Sequence, residues 1–133
     1  MERIRISGVK KGVKTILGVE KMDGQKNSDE ILVPYKELFK IGVKALEVVG
    51  VPREDAGITV EVLLCADLRG VDTHGIQRLL MYVPRIRKGL MNPKPKIEVH
   101  SLAPAVKIVS GDDGLGPVVA EMGVMEDRPA PTS

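Results

Sequence analysis

His74, Arg78 and Tyr82 stand four residues apart, directly after Thr73, in the stretch Asp72-Thr73-His74-Gly75-Ile76-Gln77-Arg78-Leu79-Leu80-Met81-Tyr82. Each residue of an α-helix turns about 100°, so this spacing predicts one helical face, about 80° wide, carrying an imidazole, a guanidinium and a phenol. Arg85 projects onto the same face, and Ile76, Leu79, Leu80, Val83, Ile86 and Leu90 onto the opposite one. Such a polar face suits a small anion. A helix N-terminus offers unpaired N–H groups and partial positive charge to a carboxylate. Arg78, one turn in, can grip a carboxylate through two parallel hydrogen bonds, which lysine cannot copy. His74 near the same terminus would be favoured in its neutral form and could meet a substrate hydroxyl or carbonyl, with Tyr82 adding one more donor or acceptor. An ordinary reading stands beside this one. Every amphipathic surface helix has a polar face, and the Thr73 or Asp72 side chain could simply cap the helix by accepting a backbone N–H.

The surrounding elements follow from periodicity and punctuation. Pro34 suits a first helical position; Leu38, Ile41, Ala45, Leu46 and Val49 recur at helical spacing, and Gly50 is the stop. A second helix opens at Pro52, has Glu54 and Asp55 at its positive end, and runs through Val60, Leu63, Leu64 and Leu68 to Arg69 and Gly70. The third, over 74–88, contains Pro84, which should kink it or remove a hydrogen bond, and stops at Gly89. Asn92-Pro93-Lys94-Pro95 is a stiff connection leading to two short strands, Lys96–His100 and Ala105–Val109. Gly111-Asp112-Asp113-Gly114 signals a turn, and a fourth helix runs from Leu115–Pro117 to about Met125. Residues 1–30 are broken by Gly8, Gly12, Gly18 and Gly24 and read as a short hairpin around Ile4, Ile6 and Val9 or a loosely held extension. The fold class predicted is therefore α/β (α+β): helices first, then short strands.

Composition removes several function classes. The 20 basic and 18 acidic residues nearly balance, which does not suit a duplex-binding face. Tyr35, Phe39 and Tyr82 are the only aromatic side chains, too few for the stacking platforms of a single-strand binder. No apolar run reaches the roughly 18 residues of a membrane span, and the first residues lack the apolar core of a secretory signal, so a cytoplasmic protein is expected. The lone Cys65 sits in an apolar run and reads as a buried, inert thiol. A metal site at Asp67, Asp72 and His74 lacks a third nitrogen or sulfur ligand at familiar spacing. The Gly111–Gly116 run matches neither dinucleotide nor P-loop patterns and reads as a turn with a helix cap.

Val51-Pro52-Arg53-Glu54-Asp55-Ala56, then Ala66-Asp67-Leu68-Arg69-Gly70-Val71-Asp72-Thr73-His74-Gly75-Ile76-Gln77-Arg78-Leu79, followed by Tyr82, Gly89, Asn92-Pro93 and Gly111-Asp112-Asp113-Gly114-Leu115-Gly116, resembles the opening of the malate/L-lactate dehydrogenase family. The resemblance runs over roughly residues 33–125. It implies part of a distinctive fold that is not Rossmann-like, and an oxidoreductase interconverting a 2-hydroxy acid and a 2-oxo acid with NAD or NADP. It also implies a homodimer, with Thr73, His74, Arg78 and Tyr82 at or near a small anionic substrate. It divides the chain into an N-terminal extension, 1–31, and the N-terminal portion of a dehydrogenase domain, 32–133. The family's acid/base histidine and most of its cofactor-binding segments lie beyond the matching region. His100 does not correspond to that histidine and reads as an ordinary strand residue. No catalytic residue is therefore expected within this chain, and it is expected to be inactive alone. After Met122, Gly123-Val124-Met125 and a proline-rich end depart from the family's continuing helix, as in a truncated gene, a frameshift or a partial reading frame. The alternative is a non-catalytic helical remnant or interaction module.

Overall fold

A strand ends at Pro34 and a helix begins at Tyr35, and that junction sets the first half of the fold. The computed structural model describes residues 3–6 and 31–125. Strand β1 (Arg3–Ile6) pairs antiparallel with β2 (Ile31–Pro34), Arg3 opposite Pro34 and Ile4 opposite Val33. Ile4 and Val33 point into the core. The strand expected around Ile4 and Ile6 is present, but its partner is the segment 31–34, which periodicity did not single out; Val9 lies outside the described residues. Pro34 keeps an extended ψ of 136°, so it is the last strand residue and not the first helical one.

Helix α1 (Tyr35–Val48) and helix α2 (Arg53–Leu68) form a close pair. Gly42 of α1 lies so near Val60 of α2 that an added Cβ would meet both valine methyls at 3.0 Å. That contact lets the helices approach closely. Both helices end the same way: Gly50 at φ +98° and Gly70 at φ +78° turn the chain back, and the Val51 and Val71 N–H groups bind the Leu46 and Ala66 carbonyls. These are the positive-φ closures that glycine adopts without strain. Ala56, Thr59, Val60, Leu63 and Leu64 are all buried, so α2 is the central helix, contacted by α1, β1 and the C-terminal helix. Thr59 donates its hydroxyl to the Asp55 carbonyl at 2.9 Å, which satisfies the buried group. Cys65 corrects the sequence reading. It is exposed, on the side of α2 away from Leu63 and Leu64, beside an open depression shared with Val62, Arg69 and Glu121.

Burial and then the neighbouring Glu54 raise the Asp55 carboxyl above its ordinary value of 3.8. Folded Asp55 holds its proton more tightly than unfolded Asp55. Its stabilising contribution is therefore full below the ordinary value and is lost as pH rises through the raised one. Asp55→Asn should accordingly flatten the dependence of urea midpoint on pH across that acidic window and leave its shape near neutrality unchanged. Identical wild-type and variant pH curves would show that Asp55 is not desolvated.

Two short 3-10 turns, Asp72–His74 and Ile76–Arg78, precede helix α3 (Leu79–Arg87). The single helix predicted over 74–88 is thus broken at Gly75, whose ψ of −159° is extended. Ile76, Leu79 and Ile86 of the expected apolar face are buried, but Leu80 and Leu90 are exposed. The donor that Pro84 lacks would have served Leu80, on the solvent side, so the helix tolerates it.

Strands β3 (Glu98–Ala103) and β4 (Val106–Ser110) form an antiparallel hairpin, each displaced slightly toward the C-terminus from its predicted span, with a bulge between Ser101 and Ala103. His100 is an exposed strand residue, as read from sequence, and its Nε2 lies 3.5 Å from the Glu98 carboxylate. Asp112 and Asp113 adopt φ of 48° and 54°, making the predicted turn. Asp112 accepts hydrogen bonds from the Asn92 amide and the Lys96 N–H, both at 2.9 Å, and the Asn92 N–H binds the Asp113 carbonyl. The Asn92-Pro93 and Gly111–Gly114 segments are therefore one stapled unit. Helix α4 (Gly116–Met125) buries Val118 and packs back on α2, and it runs through Gly123-Val124-Met125, the extent expected from the sequence. No helix among the described residues is long and apolar enough to cross a membrane.

Candidate functional site

Three of the four residues predicted to do chemistry, Thr73, His74 and Arg78, lie on the two 3-10 turns that join α2 to α3. Their arrangement starts at Asp67, in the last turn of α2, whose carboxylate accepts the Ile76 N–H at 2.7 Å. Neither Thr73 nor a helix-end side chain caps α3; the Asp67 carboxylate binds the first residue of the second turn instead. The His74 N–H binds the Val71 carbonyl at 3.1 Å and the Arg78 N–H the Gly75 carbonyl at 3.0 Å, closing the two turns.

On this frame Thr73 Oγ1 meets His74 Nδ1 at 3.0 Å, and Arg78 Nε donates to the Thr73 carbonyl at 3.0 Å. Thr73 and His74 are exposed and Arg78 is half-buried. Arg78 uses its Nε–H in the bond to Thr73, which does not involve the terminal nitrogens of the guanidinium. The outer His74 nitrogen, Nε2, takes the opposite role to Nδ1. It donates when the threonine hydroxyl donates to Nδ1, and accepts when Nδ1–H donates to the hydroxyl. The structure thus brings together Thr73, His74 and Arg78 but by turn geometry, not by helical spacing. Tyr82 is different: it is half-buried on α3 and packs against the hydrophobic core. Arg85 is exposed in the last turn of the same helix. Because α3 begins only at Leu79, its dipole does not reach His74 within one turn.

The fragment Ala66–Leu79, which carries this arrangement, falls within residues 33–127, matched by the family model described as malate/L-lactate dehydrogenase. The chain belongs to the malate/L-lactate dehydrogenase family. A malate dehydrogenase of Pyrococcus horikoshii is 46% identical over 96 residues, 72% of this chain and 27% of that protein. An L-sulfolactate dehydrogenase of Methanocaldococcus jannaschii is 43% identical over 91 residues, 68% of this chain and 26% of that protein. The solved structure of the Pyrococcus horikoshii malate dehydrogenase superposes with a TM-score of 0.69 at 43% identity, over 77% of this chain and 30% of that one. The chain spans about a quarter of the length of the curated relatives it matches. Its helices and short antiparallel strands are a partial version of this family's fold.

A nicotinamide dinucleotide needs a cradle for its pyrophosphate, and the described glycine-rich segment does not fit one. Gly111 to Gly116 borders an open groove of about 980 Å³ between the hairpin and α4. A Cβ at Gly111 would meet Val119 and one at Gly114 would meet Pro95, so these glycines serve packing. The Val118 and Val119 N–H groups both bind the Leu115 carbonyl, and Pro117 has none to offer. Asp112 and Asp113 set negative charge beside the groove. None of this favours a phosphate.

Asp67 is the site residue that sequence reasoning missed. It was weighed only as a metal ligand, because its partner, Ile76, lies nine residues away across a glycine turn. One signal was available: an acidic residue at a helix C-terminus opposes the dipole and calls for a partner elsewhere.

Proposed function

We propose that residues 33–127 form the substrate-side, N-terminal part of an NAD(P)-dependent oxidoreductase interconverting a malate- or lactate-like 2-hydroxy acid and its 2-oxo acid. The observation that carries this reading is the Thr73–His74–Arg78 arrangement, with Arg78 Nε held at 3.0 Å by the Thr73 carbonyl. That bond fixes the guanidinium plane, leaving its outer N–H groups to grip a substrate carboxylate bidentately. His74, oriented by Thr73, directs Nε2 toward the neighbouring hydroxyl or carbonyl oxygen. Tyr82, packed through its ring, would add one phenolic donor or acceptor. NAD or NADP would supply the hydride acceptor, held by parts of the enzyme other than the described residues. The names of relatives support either form, since one is a ureidoglycolate dehydrogenase (NAD(+)) and another a (2R)-3-sulfolactate dehydrogenase (NADP(+)). Residues 1–31 are read as an extension of this unit, and the whole enzyme as a cytoplasmic homodimer.

Hydride transfer requires a nicotinamide held against the substrate carbon and a group that moves the hydroxyl proton. A preparation of these 133 residues alone is therefore expected to show no turnover of malate, lactate or sulfolactate. Residues 33–127 exchanged for the matching segment of the Pyrococcus horikoshii malate dehydrogenase should instead give a dehydrogenase active on one of these acids. A second reading, a non-catalytic helical module, is favoured by the exposed Leu80, Leu90, Ile108 and Val124. A folded chimera without turnover would support that module and sink the enzymatic reading.

A further inference from the structure

Asp67 stands at the wrong end of its helix for its charge. The last turn of α2 presents carbonyl oxygens and partial negative charge, where a cation would be stabilising and a carboxylate is not. Its carboxylate is directed out of α2 to the following turns, where it accepts the Ile76 N–H at 2.7 Å. Gly75 is seated directly against the same carboxylate: a Cβ there would overlap Oδ1, Cγ and Oδ2. Gly75 and Ile76 are both buried. The three residues interlock, and the ligand-facing groups hang from either side of the lock. Thr73 and His74 immediately precede Gly75; Arg78 follows two residues after Ile76 and binds back to both the Gly75 and Thr73 carbonyls.

We propose that Asp67 is a positioning residue. Through the Ile76 N–H and the face of Gly75 it fixes Thr73, His74 and Arg78 in one arrangement, without itself touching substrate. This rests on the reading of those three residues as substrate-binding. A helix cap that served stability alone would leave the arrangement of its neighbours intact. A positioning residue does more. Without its acceptor the buried Ile76 N–H loses its partner, the turn regains freedom, and the guanidinium and imidazole no longer converge.

The test uses the isotope-labelled 133-residue chain, titrated with L-malate and followed by NMR at Thr73, His74, Ile76 and Arg78, for the wild type, Asp67→Ala and Asp67→Asn. Asparagine keeps an acceptor oxygen and loses the charge. In Asp67→Ala the Ile76 amide should lose its protection from exchange, the Thr73, His74 and Arg78 signals should move, and L-malate affinity should fall about tenfold or more, the equivalent of about 1.4 kcal/mol. Asp67→Asn should restore all three. Unchanged Thr73–Arg78 signals and unchanged affinity in a folded Asp67→Ala chain would overturn the proposal. If Asp67→Ala does not fold, Asp67→Asn decides. Retained protection and affinity within about threefold support the proposal, and loss of the Thr73–Arg78 arrangement in a folded Asn variant overturns it. If wild type does not bind L-malate at His74 and Arg78, the functional reading fails by itself. The signal changes in Asp67→Ala and their rescue in Asp67→Asn still support the positioning role.

Discussion

Gly75→Ala is expected to destabilise the chain by about 1–3 kcal/mol and to disorder the Thr73–His74–Arg78 arrangement, although alanine for glycine is often a stabilising exchange. The backbone is not the cause. Gly75 sits at φ −88° and ψ −159°, a conformation any residue adopts. The obstacle is the Asp67 carboxylate, which occupies the space a methyl group would need. That carboxylate is not the free end of a flexible side chain, because it is held by the Ile76 N–H. The methyl must therefore push the turn away from α2 or break the hydrogen bond, and either movement displaces the residues on both sides. Urea unfolding of Gly75→Ala, Asp67→Ala and the double variant measures this as a cycle. The losses should be less than additive, since removing the carboxylate makes room for the methyl. Additive losses, or a Gly75→Ala chain as stable as wild type, would show that the two residues do not interlock. His74 and Arg78 signals in the same samples report the arrangement: the double variant should regain stability without regaining wild-type positions, because the acceptor for Ile76 is gone.

The same turn shows where sequence reasoning succeeds and where it stops. Helices α1, α2 and α4 were legible because apolar residues recur at helical spacing and glycines stand where the chain must reverse, as at Gly50 and Gly70. The Gly111–Gly114 turn was legible because aspartates tolerate the left-handed conformation found at Asp112 and Asp113. The break at Gly75 was not. The periodicity of Ile76, Leu79 and Ile86 is genuinely helical and those residues are buried as a helix would bury them. The interruption comes from Asp67, a tertiary partner that no local pattern announces. The β1–β2 pairing was hidden for a related reason: residues 3–6 and 31–34 are distant in sequence, and each strand is only four residues long. Of the four residues proposed for the site, spacing placed Tyr82 with the others, whereas the fold packs it against the core. The exposure of Cys65 was missed because α2 is apolar on several sides, so burial could not be assigned from pattern alone.

Leu64→Ala is expected to cost about 2–5 kcal/mol, the largest loss from any single truncation considered for this chain. Leu64 is fully buried in α2, flanked by Val60 and Leu63, and α2 meets α1, β1, both 3-10 turns and α4. Deleting its side chain leaves a void bordered by several elements, so none can collapse into it without leaving another contact. A loss of this size is a large share of the roughly 5–15 kcal/mol that holds a typical domain. The effect should appear as a lower urea midpoint with unchanged slope, and Cys65→Ala, on the exposed side of the same helix, should stay within about 0.5 kcal/mol of wild type. The consequence reaches the site as well. Leu64 lies three residues before Asp67, one turn along the same helix, so the residue that anchors Ile76 is itself anchored by this part of the core. In a folded Leu64→Ala chain at low temperature, exchange at the Ile76 amide should therefore accelerate along with the core amides of α2. Loss of protection in α2 without any change at Ile76 would separate the turn from the core, and would leave Asp67 holding the site independently of the packing beneath it.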